Sequence, residues 1–268
     1  MHYQKFPATP ALRPFIECYF VWEGDASEAG EVQSPPNGYT SMVFNWGDPY
    51  RAFQVHTEAR PVPMCFASGQ FTSNYHLLMK GKIGIMGIVF KASAMYNFFN
   101  WKMAEMVNQR VALKLLLGNE AVDLYKAVIS ETTAGLRITV LENFLIKHLK
   151  VAKSRVSLID DAIDIIDINK GMVTIESVAS QVKISRRYLE KKFLEKVGLS
   201  PKLYARIRRF SILSNKVVQG NIVDWQDMVL ESGYHDQSHL VKEFQEFNQM
   251  NPRDYHQKHL ELIRFVNQ

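Results

Sequence analysis

The densest chemistry in the chain lies between Lys183 and Lys216, where eleven lysines and arginines stand against only Glu190 and Glu195. That is an excess of nine positive charges in a 268-residue chain whose net charge is +5, so the remainder carries −4. A basic island in a mildly acidic protein suits a polyanion, because clustered cations release condensed counterions when they meet phosphate. Arginine adds more than charge. Its planar fork can engage both acceptor atoms of a guanine edge, and a glutamate can accept from the amino group of cytosine. The other chemistries have no constellation to carry them. His2, His56 and His76 are scattered, with no HxH and no Glu at metal-ligand spacing. Cys18 and Cys65 lack a CxxC partner and read as small buried hydrophobes in a reducing cytoplasm. No Ser/His/Asp or Cys/His arrangement stands out. No catalytic residue, metal or cofactor is therefore expected.

The elements that must position the basic residues are written twice. "FLEKVGLSPKLY" (Phe193 to Tyr204) and "FQEFNQMNPRDY" (Phe244 to Tyr255) match in Phe, acid, Pro and Tyr at a constant offset of 51 residues. Ser200-Pro201 and Asn251-Pro252 each put an N-cap side chain before a Pro at the first helical position, so each phrase opens a helix. Upstream, Ser185 and Asp236 are equivalent caps for "RRYLEKKFLEK" and "QSHLVKEFQEF", with Leu189/Leu240 and Phe193/Phe244 on one apolar stripe. A short capped helix precedes each, from Thr174 and from Asp224. Gly198 suits the end of the first long helix. The second copy has Gln249 there, with Asn248 as the expected left-handed substitute. Helix, tight turn, capped second helix, twice over, is the pattern of a pair of helix-turn-helix units. The connector "SPKLYARIRRFSILSNKVVQG" spans roughly 28 Å at 1.5 Å per residue. That is close to one turn of B-DNA, about 34–36 Å, so both units could enter successive major grooves.

At this point the residues from about 157 to 262 resemble the C-terminal domain of AraC/XylS-type transcriptional regulators. The second half carries the signature in Gly233, Tyr234, Asp236, Ser238, Leu240, Lys242, Phe244, Pro252 and Tyr255. It departs where the family usually has Phe for Leu240, Arg for Lys242 and Gly for Gln249. In a helix-turn-helix the second helix presents its outward residues to the groove. With Leu189 and Phe193 turned inward, Arg186, Arg187, Glu190 and Lys191 are left outward, and by resemblance these take the base- and phosphate-contacting positions. Arg187 is the choice for a base edge and Glu190 for cytosine, while Lys191, Lys192, Arg206 and Arg208 are expected on phosphate. In the second unit the outward set is Gln237, Ser238, Val241 and Lys242. From Val223 to Glu246 there are six acids against one Lys, so the second unit is expected to position the complex and the first to read sequence.

The first hundred residues read as β-rich, with short apolar runs bounded by Gly, Asp and Pro. From about Met95 the period becomes helical, and the polar stretch Lys150 to Ser157 reads as a linker. The order of "LRPFIECYFVWEG", "PPNGYTSMVFNWGDPY", "IMGIVFKASAMYNFF" and "VALKLLLGNEAVDLYKAV" resembles the N-terminal region of a divergent AraC-like branch. That branch usually has Pro where this chain has Ala92-Ser93, so a different turn is expected there. The resemblance implies a cupin-like sensor barrel for a small-molecule effector, helices that form a homodimer, and RNA polymerase as a partner at the promoter.

The expected fold is thus an α+β N-terminal domain, a β-rich barrel plus a helical hairpin, followed by an all-α domain of two helix-turn-helix units on a connecting helix. Its parts are a β-rich module over 1–100, a helical and dimerising segment over 101–152, and a DNA-binding domain over 155–268. Trp22, Tyr39, Phe44 and Trp46 are the candidate lining of an effector pocket. No apolar run approaches the roughly 20 residues of a membrane span, and the N-terminus lacks an apolar leader core, so a cytoplasmic regulator binding double-stranded promoter DNA is expected. The competing reading is a cupin-type enzyme or small-molecule binder whose helical domain serves assembly.

Overall fold

The computed structural model describes residues 2–219, 228–229 and 231–257. Eight strands form one antiparallel sheet: β1 (His2–Phe6), β2 (Ile16–Ser34), β3 (Thr40–Asn45), β4 (Arg51–Gln54), β5 (Arg60–Pro61), β6 (Cys65–Ser68), β7 (Tyr75–Phe90) and β8 (Arg110–Ala112). Its path runs β1-β2-β7-β3-β6-β8, with β4 added to the start of β7 and β5 to β4. The spine is the long pair β2 and β7, registered from Ile16 opposite Phe90 to Ser34 opposite Tyr75.

Alternation along the strands divides the side chains between two faces. Tyr19, Val21, Met42, Phe44, Met86, Ile88 and Phe90 face a core shared with the helices. Phe20, Trp22, Val43, Phe66 and Ile85 face the other way. Tyr3 on β1 and Arg110 on β8, from opposite ends of the path, line one cavity with them, so the sheet is rolled into a barrel-like form. The β module does not stop at residue 100. β8 pairs with β6 from Ser68 opposite Arg110 to Phe66 opposite Ala112, because a closing strand is needed to cover the edge of β6.

Helices α1 (Ala94–Phe99), α2 (Leu113–Leu117), α3 (Asn119–Ser130) and α4 (Ala134–Ser154) cover the outer face of the sheet. The stretch expected to be a linker is not one. Helix α4 continues to Ser154, and the Arg155 guanidinium donates to the carbonyls of Asn97 and Phe98, each at 3.1 Å. Ser157 then opens α5 (Leu158–Ile168) with a reciprocal cap shared with Asp160.

The helical domain continues with α6 (Ile175–Gln181), α7 (Arg186–Val197), α8 (Pro201–Gln219) and α9 (Gln237–Asn248), and 252–257 is again helical. One core joins them through Leu189, Phe193, Ile207, Phe210, Leu240 and Phe244. The helix expected from Asp224 lies largely outside the described residues.

Candidate nucleic-acid interface

The first helix-turn-helix unit is assembled by local signals. The Thr174 hydroxyl accepts from the Ser177 N–H at 3.2 Å to start α6, and Ser185 accepts from the Tyr188 N–H at 3.2 Å to start α7. Between them Lys183 takes a left-handed φ of 56°. Helix α7 ends at Gly198 with φ 86°, where a β-carbon would lie 2.6 Å from the Met103 carbonyl oxygen. Gly198 is thus needed twice, for its backbone angle and for the close approach of the N-terminal domain.

In the second unit Asp236 caps α9 by accepting from the His239 N–H at 2.7 Å. The left-handed residue that ends α9 is Gln249 itself, with φ 61°, rather than Asn248, which is buried in the last helical turn.

Helix α7 is held by its inner face and its C-terminal end. Leu189, Phe193 and Val197 are buried. The Tyr96 hydroxyl donates to Glu195 at 2.7 Å, and the Lys196 ammonium donates to the Arg155 carbonyl at 2.7 Å and to Asp160 at 2.8 Å. Asp160 is a junction. It also accepts from Ser93 at 2.6 Å, from Asn97 at 2.7 Å and from the Ser157 N–H at 2.8 Å. Burial pushes its carboxyl up, but the hydrogen bonds from Lys196 and Ser93, the Lys196 charge and the Asn97 amide outweigh that and hold it below its ordinary value. Ser93, in the Ala92-Ser93 turn, therefore ties α1 to the helical domain.

The basic island divides into two sets. Seven of its eleven cations are in ion pairs. Arg186 pairs with Glu176 and, at 2.8 Å, with Glu190, and Lys192 pairs with Glu195 at 2.7 Å. Lys196 takes Asp160, and Lys216 takes Glu231 at 2.6 Å. Arg206 meets Glu243 and Glu246, and Arg209 meets Glu243 at 2.8 Å. Arg208 meets Asp167 at 2.8 Å. Among the described residues, Lys183, Arg187, Lys191 and Lys202 have no acidic partner, and all four are exposed.

This redistributes the residues expected on DNA. Arg186, Arg187, Glu190 and Lys191 do share the exposed face of α7, but Arg186 and Glu190 are tied to one another. Lys192 is half-buried against Glu195. Arg206 lies against the Phe247 ring with both its acids, anchoring α9 to α8. Arg208 is turned to the N-terminal domain: it donates to the Asn37 carbonyl at 2.7 Å and to the Tyr39 hydroxyl at 3.2 Å, with its guanidinium 4.6 Å above the Tyr39 ring. In this arrangement Arg206 and Arg208 are committed to acids and carbonyls, because the buried carboxylate of Glu243 and the half-buried one of Asp167 are each neutralised by a paired cation. On α9, Gln237, Ser238 and Lys242 are exposed and Val241 is half-buried.

Glu243 was not among the residues singled out by sequence. It is 1% exposed at its side chain and receives Arg206, Arg209 and the Tyr234 hydroxyl at 3.1 Å. The acidity of the second unit is therefore partly internal, since Glu231, Glu243 and Glu246 neutralise cations of the island.

The cavity in the N-terminal domain measures about 620 Å3. Of the four aromatic candidates, Trp22 and Tyr39 line it. Phe44 points to the opposite face of β3, into the helix-covered core, and Trp46 lies under the Arg137 guanidinium at 3.8 Å. Asn37 and Tyr39 belong both to the cavity wall and to the Arg208 contact. Among the described residues no group of three or more His, Cys, Asp or Glu could hold a metal ion, and no helix is long and apolar enough to cross a membrane.

Comparison with known proteins bears on both halves. Residues 178–258 match the family model described as a helix-turn-helix domain, and residues 4–112 match a domain of unknown function, DUF6597. None of the curated proteins matches the chain. Among solved structures, ToxT from Vibrio cholerae is similar at 12% identity, covering 89% of this chain and 97% of that one, with a TM-score of 0.46. ToxT with an unsaturated fatty acid bound matches at 12% identity over 89% and 94% of the two chains, with a TM-score of 0.46. The AraC-like transcriptional activator CuxR matches at 14% identity over 80% and 85%, with a TM-score of 0.29.

Proposed function

We propose that this chain, whose C-terminal domain is a helix-turn-helix domain of the AraC type, is a sequence-specific transcription regulator whose N-terminal cavity takes a small effector. The observation that carries this reading is the exposed face of α7. It joins Arg187 and Lys191, two cations without an acidic partner, at i and i+4 on the second helix of a helix-turn-helix unit. Arg187 reads a base edge and Lys191 neutralises phosphate, with Lys183 and Lys202 adding charge beside them. The second unit, with Gln237, Ser238 and Lys242 outward, positions the complex.

The link between effector and DNA runs through Arg208. Its guanidinium joins a wall of the cavity, at Asn37 and Tyr39, to α8, the helix that connects the two units. An effector shifts the protein only through different affinity for two arrangements of its halves. A ligand that moves the 37–39 wall changes whether Arg208 stays docked, and so couples the cavity to the spacing of the two units.

The test is selection of a binding site from random duplexes, followed by affinity measured against salt. Arg187→Ala should weaken the selected site by about 1–3 kcal/mol and leave non-selected DNA nearly unchanged, as expected of a base contact. Lys191→Ala should weaken both and lower the salt slope by about 0.9. Gln237→Ala with Lys242→Ala should cost less specificity than Arg187→Ala. Failure to bind duplex DNA even at low salt would overturn the proposal.

A further inference from the structure

The cavity wall mixes aromatic side chains with polar ones, and a single cation, Arg110, stands in one polar row. Strand register aligns Ser41 with Ser68, and Ser68 with Arg110, across β3, β6 and β8. Residues paired in this way present side chains on the same face, about 4.5–5.5 Å apart at their β-carbons. All three line the cavity.

The Arg110 guanidinium is seated over two rings, 4.6 Å from the centre of Phe71 and 4.2 Å from that of Tyr75. It has no acidic partner among the described residues, and its buried Nη2 has no hydrogen-bond partner. The one acid on the cavity wall, Glu31, pairs with the Nδ1 of His76 at 2.7 Å. Thr40, also on the wall and nearly fully buried, likewise has an unpartnered hydroxyl.

A buried guanidinium nitrogen without an acceptor is costly, and the aromatic seat fixes the fork without satisfying it. We propose that the Ser41–Ser68–Arg110 row is an anion subsite, and that the cavity takes an apolar, aromatic or alkyl molecule ending in one carboxylate. The carboxylate accepts from the Arg110 fork, with the two serine hydroxyls as further donors, and the apolar body lies against Phe20, Trp22 and Phe66. One cation on the wall sets the charge at one, and 620 Å3 suits a molecule of drug-like size. This rests on the reading of the cavity as the effector site.

The test compares 4-biphenylcarboxylate with its neutral analogue 4-biphenylmethanol on the full chain by calorimetry at pH 7.5. The wild-type protein should bind the carboxylate at least about tenfold more tightly, the size of one charge-assisted pair. Arg110→Met should abolish that preference while keeping the alcohol within about threefold. Equal affinity for the two probes, binding of neither, or a preference that survives Arg110→Met would overturn the proposal. The wild-type comparison decides alone should the variant fail to fold, and Arg110→Lys, which keeps the charge and loses the fork, should retain only part of the preference. DNA binding is read separately by gel shift. Intact DNA binding without carboxylate preference refutes the ligand class and spares the regulator. Carboxylate preference without DNA binding does the reverse.

Discussion

Replacing Asp160 by Asn tests the junction that fixes α7. The Asp160 carboxylate takes Lys196 from α7, Ser93 and Asn97 from α1, and the Ser157 N–H at the start of α5. Its side chain is 16% exposed and that of Lys196 is 7% exposed, so removing the negative charge strands a buried ammonium. Breaking a buried pair from one side costs about 3–5 kcal/mol. Ser93 and Asn97 donate to Oδ1 while Lys196 and the Ser157 N–H donate to Oδ2. The single oxygen of Asn can serve only one of these sets, which places the expected loss at about 3 kcal/mol or more, a large part of a typical total stability of about 5–15 kcal/mol. The loss should depend on pH in one direction. A carboxyl held below its ordinary value stabilises the fold fully above the unfolded pKa of about 3.9, and that stabilisation disappears as pH falls through the depressed folded value. Asn has nothing to lose there. Urea unfolding followed at pH 7.5, 5 and 4, and below pH 4 as far as the fold permits, should show the full gap between wild type and Asp160→Asn at pH 7.5. That gap should close only at the acid end. A gap under about 1 kcal/mol at pH 7.5, or one that ignores pH, would refute the assignment. Ser93→Ala, which cuts only a bond crossing from α1, should cost about 1 kcal/mol in the same assay.

Two further outcomes follow from the backbone and from the domain contact. Gln249→Gly should stabilise the protein by about 0.5–1 kcal/mol, because Gln249 holds a left-handed φ that a side chain disfavours, whereas Gly198→Ala should destabilise it; thermal unfolding of both variants checks the pair. Tyr39→Leu combined with Arg208→Met should be less damaging than the two single changes added together by about 1–2 kcal/mol, since each single change already removes the ring and hydroxyl contact; zero coupling in a urea double-mutant cycle would mean the docked arrangement is not populated in solution.

What could be read from sequence was local. Thr174, Ser185 and Asp236 announce their helices because a cap needs only its own next three residues. The barrel-like sheet and the run of helices were legible from the change of period near Met95. Its boundary was not, since β8 becomes a strand only by meeting β6. The cavity was half legible for a similar reason. Alternation says that Val43 and Phe44 face opposite ways, but not which face is filled by helices and which is hollow, so Trp22 and Tyr39 line the space while Phe44 and Trp46 do not. Arg110 carried no signal at all: an isolated arginine in "NQRVALK" becomes distinctive only when register sets it beside Ser68.

The basic island shows how far a charge count can mislead when its partners are distant in sequence. Arg206 and Glu243 are 37 residues apart, and Arg208 and Asp167 are 41. The local excess of nine therefore overstates the charge free to meet a polyanion, because the same stretch must also hold α9 to α8 and α8 to the N-terminal domain. With those pairs removed, the positive charge narrows to Lys183, Arg187, Lys191 and Lys202. Two of these lie on the open face of α7, so on the proposed reading the island would meet DNA through a few residues, while the rest bind the molecule to itself. An effector that released Arg208 from both Asn37 and Tyr39 would leave it paired with Asp167. The switch would then act through the position of α8 rather than by adding a new cation to the DNA face.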